Sequence, residues 1–288
     1  MYDVVIVGAG PAGISASLYT KRAGLNTLVI YSDNCTLEKA EKIENYYGFV
    51  NGITGLELYN NGIKQAKNIG VEFVKEEVVD LTYDNNFQIK TLKNTYNSKA
   101  VILATGANRN RPNIEGIKEF EGKGISYCAI CDASFYKDRN VSVIGNGNYA
   151  INELMHLLDV VNNVTLLTNG KEAPLFRAEN LSVIDKKIDK ISGDRKVRKV
   201  KFEDETSIDV DGVFIAEGIA SSTDLAKKVG ALVDTNIVID ENMKTSVDGL
   251  YACGDATGGL LQISKAVYEG TVAGINVIRY LKSSNNDI

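Results

Sequence analysis

The sequence predicts an α/β protein made of two Rossmann-like domains, each a three-layer β/β/α arrangement. Two observations carry this. An all-apolar run that ends in a glycine turn and leads into a helical stretch occurs twice, once at the start of the chain and once in its middle. Each is followed by another short apolar run, as parallel strands buried on both faces require. With 288 residues and 44% apolar composition, the chain has material for two cores.

The first unit begins with Val4-Val5-Ile6-Val7, then Gly8-Ala9-Gly10-Pro11-Ala12-Gly13. A helix is predicted from Ile14 to Ala23, stopped by Gly24, and a second strand at Thr27-Leu28-Val29-Ile30. In this setting G-x-G-x-x-G is a dinucleotide signature: glycines permit a tight turn and let backbone N–H groups approach a pyrophosphate at the helix N-terminus. A ribose-binding acid is not evident at the end of the second strand, where Tyr31 and Ser32 precede Asp33.

The second unit repeats the pattern with Val141 to Ile144, Gly145-Asn146-Gly147-Asn148-Tyr149-Ala150, a helix from Ile151 to Val161, and a strand at Val164 to Leu167. Between the units, Lys99 to Ala107 reads as a buried strand ending in a small-residue turn. Near the end, Gly249 to Asp255 reads as a strand ending in Gly-Asp. An aspartate there suits a sugar hydroxyl, or simply caps a helix. A helix from Leu261 to Leu281 follows, with Ala266, Gly270, Ala273 and Gly274 allowing close packing. The polar stretch Ser283 to Asp287 reads as a frayed tail.

A net charge of −5 argues against nucleic acid as the main partner. No leader sequence and no apolar run of membrane-spanning length are seen, so the expectation is a cytoplasmic protein without membrane contact.

Taken together, the residues resemble the low-molecular-weight flavin thioredoxin reductases over nearly the whole chain. The matching pieces are Gly8 to Gly13, Glu44-Asn45-Tyr46-Tyr47-Gly48-Phe49, Ala104-Thr105-Gly106, Ser126-Tyr127-Cys128-Ala129-Ile130-Cys131-Asp132, Cys253-Gly254-Asp255, and Gln262 with its glycine-spaced helix. The resemblance implies a discontinuous FAD domain, residues 1–112 plus 241–288. A second domain, 113–240, is then inserted into it and carries the cysteine pair. It also implies a homodimer and thioredoxin as partner. Gly8, Gly10, Pro11, Ala12 and Gly13 would hold the FAD pyrophosphate, and Asp255 the ribityl chain. Asn45, Gln262 and Ile263 would lie near the flavin ring, and Thr105, Gly106 and Gly254 would complete the cofactor site. In the family pattern Cys131 faces the flavin, Cys128 attacks the protein substrate, and Asp132 is the acid/base for the thiol proton.

The pair also makes chemical sense on its own. Cys-x-x-Cys at a helix start brings two sulfurs within disulfide reach, and the helix N-terminus favours the thiolate. The competing reading is half of a zinc site, which needs four ligands. Only Cys35, Cys253 and His156 remain, and they form no second pair, so no metal is expected.

The departures from the family concern the electron donor. Members using NADPH carry a His-Arg-Arg cluster after the second domain's second strand. This chain has Thr168-Asn169-Gly170-Lys171, with only Arg177 nearby, and no acid that would suit NADH. Asn146 replaces a turn glycine, and Tyr149 places a bulky ring where a pyrophosphate would approach. These changes point to the ferredoxin-dependent branch, with reduced ferredoxin rather than NADPH as donor. A basic run, Lys186, Lys187, Lys190, Arg195, Lys196, Arg198, Lys199 and Lys201, is a candidate docking face or a solvated hairpin. The alternatives are an NAD(P)H-dependent thioredoxin reductase, a dithiol oxidase, and a non-enzymatic redox-sensing flavoprotein.

Overall fold

The computed structural model describes residues 1–32, 35–106 and 112–283, without the side chain of Thr36. Asp33, Ala107 and the predicted polar tail from 284 onward lie outside the described residues. The chain divides into two compact units, Met1–Asn108 with Ser221–Ile288, and Arg109–Ala220.

The first unit starts with strand β1 (Tyr2–Val7), helix α1 (Pro11–Arg22) and strand β2 (Thr27–Tyr31). Val4, Val5 and Ile6 are fully buried, as the apolar run requires. The helix begins three residues earlier than its apolar pattern suggests, at Pro11, whose missing N–H is no loss in a first turn. Gly24, at φ +84°, terminates it in the left-handed conformation that favours glycine. Helix α2 (Gly55–Asn68), capped by Thr54, leads to β3 (Glu72–Lys75). A meander follows, β4 (Val78–Asp84), β5 (Asn86–Thr91) and β6 (Thr95–Leu103). The first residues of β6 pair antiparallel with β5, and its later, buried residues pair parallel with β1.

The second unit contains helix α3 (Ile117–Phe120), strand β7 (Ile125–Ser126), helix α4 (Ala129–Asp132), strand β8 (Asn140–Ile144), helix α5 (Asn148–Leu158) and strand β9 (Asn163–Leu167). Strands β10 (Leu181–Ile184), β11 (Ile188–Gly193), β12 (Val197–Phe202), β13 (Ser207–Asp209) and β14 (Gly212–Ile215) complete it. The parallel sheet runs β10-β9-β8-β14-β7, and β11-β12-β13 form a separate antiparallel sheet. Ile191, Val200 and Phe202 of the small sheet share one apolar core with Ile144, Leu167, Val213 and Ile215 of the large one.

The chain then returns to the first unit with helix α6 (Ser222–Lys228), strand β15 (Leu250–Ala252) and helix α7 (Ile263–Ser283). The return falls at 220/221, ahead of the 240/241 boundary expected from the sequence. The reason is a buried contact: Lys228 on α6 pairs with Asp80 on β4 at 3.3 Å, which ties this segment to the first unit. Strand β15 pairs with β6, giving the sheet β3-β2-β1-β6 continued by β5-β4, with β15 joined to β6. Helix α7 lies against α1 so closely that a Cβ at Gly270 would stand 2.1 Å from the Ala12 carbonyl oxygen. Among the described residues no helix is long and apolar enough to cross a membrane.

Candidate functional site

In the first unit, β1 delivers the chain into Gly8 at φ +113°. A Cβ there would lie 2.3 Å from the Ala104 carbonyl oxygen, and one at Gly13 would lie 1.9 Å from the Gly8 carbonyl oxygen. At Gly10 a Cβ would meet nothing within 4 Å. The turn is therefore closed on its inner side and open at Gly10, where α1 starts with no side-chain cap. Uncapped N–H groups and the positive helix end make this a cradle that fits a pyrophosphate.

The other expected cofactor residues cluster around this turn only in part. A Cβ at Gly254 would lie 2.8 Å from the Cβ of Ala12, so those two segments touch. The Thr105 hydroxyl shares a 2.6 Å hydrogen bond with the Ser222 hydroxyl, at the start of α6. Gly106, at φ +87°, has open space on its side-chain face. The Asn45 amide donates to Gln262 Oε1 at 3.2 Å, one residue before Ile263 opens α7. Burial pushes the Asp255 carboxyl up from the ordinary aspartate range, Lys265 opposes this and Glu269 adds to it.

Lys265 and Glu269 were not anticipated. Lys265 Nζ donates to the carbonyls of Gly254 at 2.9 Å and Gly258 at 2.5 Å. Glu269 Oε2 accepts from the Gly254 N–H at 2.9 Å and the Thr257 hydroxyl at 2.8 Å. The two side chains also pair at 3.2 Å. Spaced one turn apart on α7, they hold the turn that presents Asp255. The available signal was a Lys and a Glu at i,i+4 among the small residues of that helix.

In the second unit, Cys128 and Cys131 are joined in a disulfide with Cα atoms 5.3 Å apart. The Cys131 N–H points at Cys128 Sγ, 3.3 Å away, as the first turn of α4 dictates. Ser126 accepts the Cys128 N–H at 3.1 Å and donates to Asp132 Oδ2 at 2.7 Å. The structure thus brings Asp132 to the dithiol segment through Ser126. Burial, and then the Asp132 charge, raise the nearby Tyr136 hydroxyl above its usual value. Cys128 is only 5% exposed, whereas Cys131 is exposed at the surface. Cys253 is fully buried, with its thiol pushed up by that burial, and suits packing alone. Among the described residues no cluster of three or more His, Cys, Asp or Glu is placed to hold a metal.

Tyr149 and Glu153 on α5 also reach the dithiol segment. The Tyr149 hydroxyl donates to the Tyr127 carbonyl at 2.9 Å, and Glu153 Oε2 accepts the Ala129 N–H at 2.6 Å. Tyr149 lies in the first turn of α5, since the helix begins at Asn148 rather than Ile151.

The mouth of the second glycine turn is crossed by its own side chains. Asn146 Nδ2 donates to the Glu172 carbonyl at 3.4 Å, bridging the turn to the loop after β9. Lys171 on that loop forms an ion pair with Glu217 beyond β14. Arg177 donates to the Phe176 carbonyl at 2.8 Å. The basic run is interleaved with acids: Lys186 pairs with Asp204, Lys199 with Asp209 and Lys201 with Glu205. Three of its eight cations are thus paired with acids.

Residues 2–270 match the family model described as pyridine nucleotide-disulphide oxidoreductase. The chain is 34% identical to the thioredoxin reductase of Ureaplasma parvum, covering 99% of this chain and 98% of that protein. It is 37% identical to the thioredoxin reductase of Aquifex aeolicus, covering 88% and 85%. Among solved structures it is similar to the atypical thioredoxin reductase TRi of Desulfovibrio vulgaris Hildenborough, with TM-score 0.93, 38% identity, and 98% and 99% of the two chains covered. It is also similar to a ferredoxin-flavin thioredoxin reductase from Clostridium acetobutylicum, with TM-score 0.73, 33% identity and 98% of each chain covered.

Proposed function

The chain belongs to the pyridine nucleotide-disulphide oxidoreductase family as a flavin-dependent thioredoxin reductase with FAD as cofactor, and on that premise we propose that it reduces thioredoxin with electrons from reduced ferredoxin, through Cys128 and Cys131. The observation that carries the donor reading is the crossed mouth of the second glycine turn. A nicotinamide nucleotide needs room for its phosphates at the start of α5 and a ribose partner after β9. Here Asn146 and Glu172 bridge these two places, and the Lys171–Glu217 pair engages the lysine of the loop while adding a carboxylate that repels phosphate. The likeness to the Clostridium acetobutylicum ferredoxin-flavin thioredoxin reductase supports the same reading.

In the proposed site, Gly8, Gly10, Pro11, Ala12 and Gly13 hold the FAD pyrophosphate at the start of α1. Asp255 accepts from the ribityl chain, Thr105, Gly106 and Gly254 line the cofactor, and Asn45, Gln262 and Ile263 lie by the ring. FAD held there would supply the conversion of single electrons into a pair for the disulfide. Two electrons and two protons open the Cys128–Cys131 disulfide to a dithiol. A thiolate of the pair attacks the thioredoxin disulfide, forming a mixed disulfide and releasing one thioredoxin thiolate. The other cysteine then attacks the mixed disulfide, which restores Cys128–Cys131 and frees reduced thioredoxin. Asp132 takes and returns the thiol proton. Cys131 faces the flavin ring and Cys128 makes the first attack, the roles that the family pattern implies. Ile130 and Phe135, 42% and 75% exposed, offer the partner an apolar contact beside the pair. The working enzyme is a homodimer in the cytoplasm.

The test is to mix FAD-loaded protein anaerobically with NADPH, with NADH and with reduced ferredoxin, following flavin absorbance. Bleaching by ferredoxin alone, followed by thioredoxin reduction, is expected. Rapid bleaching by either nicotinamide would overturn the donor assignment and leave an ordinary thioredoxin reductase.

A further inference from the structure

We propose that Tyr149 and Glu153 clamp the backbone of the dithiol segment and act as positioning residues for its sulfur exchange, an inference that rests on Cys128 and Cys131 being the redox centre. The two side chains sit four residues apart on α5, hence on one face of that helix. One holds the residue before Cys128, through the Tyr127 carbonyl at 2.9 Å. The other holds the residue after it, through the Ala129 N–H at 2.6 Å. Cys128 is therefore bracketed on both sides by side chains of a single helix.

Both clamp residues are buried, at 2% and 1% exposure. A hydrogen bond in such surroundings is strong, and removing its acceptor leaves a buried N–H unpaired. Within the segment the other restraints are local, the Ser126 contacts to the Cys128 N–H and to Asp132. Helix α4 is a single turn, and a turn of that length does not persist by itself. Once the disulfide opens, an unheld segment would let the sulfurs drift apart. The clamp keeps the backbone in place and so keeps the concentration of one sulfur at the other high. That favours the disulfide over the dithiol, which makes the dithiol a stronger reductant, and it speeds release of a mixed disulfide.

A comparison within the molecule points the same way. In the first unit the matching position at the start of α1 is Ala12, which has no ring to reach another segment. In the second unit the start of α5 is occupied by Tyr149, whose hydroxyl is directed at the dithiol segment. The helix position that serves a cofactor in one unit serves the cysteine pair in the other.

The experiment uses full-length, FAD-loaded protein carrying Tyr149→Phe, Glu153→Ala or Glu153→Gln. The dithiol–disulfide equilibrium is read by alkylating free thiols in graded dithiothreitol buffers, a readout independent of turnover. Glu153→Ala is expected to move the equilibrium toward the dithiol by about tenfold, about 30 mV in midpoint potential. Tyr149→Phe, which keeps the ring and loses only the hydroxyl, is expected to move it about threefold. Glu153→Gln retains an acceptor for the Ala129 N–H and is expected to stay within about twofold of the parent. Tyr149→Phe and Glu153→Ala titrating with the parent would overturn the clamp, as would Glu153→Gln behaving like Glu153→Ala. A parent protein in which Cys128 and Cys131 do not titrate as a pair would instead sink the redox-centre reading, and the clamp with it.

Discussion

The Ser126 hydroxyl lies 2.7 Å from Asp132 Oδ2 and is at the same time the acceptor for the Cys128 N–H. One small side chain thus fixes the carboxylate that follows the second cysteine relative to the backbone of the first. An acid/base group works only if its carboxylate stays within reach of the proton it moves. Asp132→Asn is expected to slow thioredoxin reduction about a hundredfold, in the usual range for a lost general acid/base. Ser126→Ala removes the restraint and keeps the carboxylate, so a loss of about tenfold with a displaced pH–rate profile is expected. A Ser126→Ala enzyme with the parent's rate across the pH range would mean that other contacts orient Asp132.

The different roles proposed for the two sulfurs set up a trapping experiment. Turnover needs both, so Cys128→Ser and Cys131→Ser should each abolish it. Cys131→Ser keeps the attacking Cys128 and should accumulate a stable mixed disulfide with thioredoxin, because the resolving thiol is gone. Cys128→Ser leaves only the flavin-facing Cys131 and should trap far less. Non-reducing electrophoresis separates the cases, and the opposite ranking would give the first attack to Cys131.

Two glycines of the first turn should respond differently to a side chain. At Gly10 a Cβ meets nothing within 4 Å, so Gly10→Val should leave the flavin-free fold intact and block the cofactor. At Gly13 a Cβ would stand 1.9 Å from the Gly8 carbonyl, so Gly13→Ala forces backbone apart and should cost about 1–3 kcal/mol of stability besides. Flavin content and thermal unfolding of the two proteins, measured side by side, check this. Gly10→Val retaining a full complement of FAD would argue against the pyrophosphate site.

Asp255 gives a pH prediction with a definite sign. Its carboxyl is raised above the ordinary aspartate value, chiefly by burial. The folded protein then holds this proton more tightly than the unfolded chain does. The resulting stability is complete below the unfolded value, about 3.9, and is lost as pH rises through the folded one. Flavin-stripped parent protein should therefore lose stability relative to Asp255→Asn as pH climbs through that window. Parallel stability curves for the two would show that the carboxyl titrates alike in both states.

Much of this molecule was legible in the chain itself. Val4 to Val7 and Val141 to Ile144 can only be buried strands, and the glycine turns after them fix where each helix starts. Gly24 marks a helix end by its left-handed conformation, which other residues adopt at a cost. The dithiol was legible because two cysteines three apart admit few uses, and Asp132 because it adjoins them. Less legible were side chains whose partners are distant in sequence. Lys265 and Glu269 read as ordinary polar residues of a helix until the fold brings the Gly254–Thr257 turn beneath them. Lys228 reads as a surface lysine until α6 meets Asp80 on β4, and this contact moved the boundary of the inserted unit. In the basic run the fold pairs Lys186 with Asp204, and the strand register pairs Lys199 with Asp209, which the run alone does not show.

The sequence by itself determined the two α/β units, the glycine turn at the start of α1 and the nearness of Cys128 to Cys131, because each depends on local backbone constraints and short spacings. Tertiary structure alone decided that Ser126 holds Asp132 and that Tyr149 turns its hydroxyl toward the dithiol segment. These depend on how helix α5 and strand β7 approach one another, and burial and hydrogen bonding between separate elements have no period or spacing to read in advance.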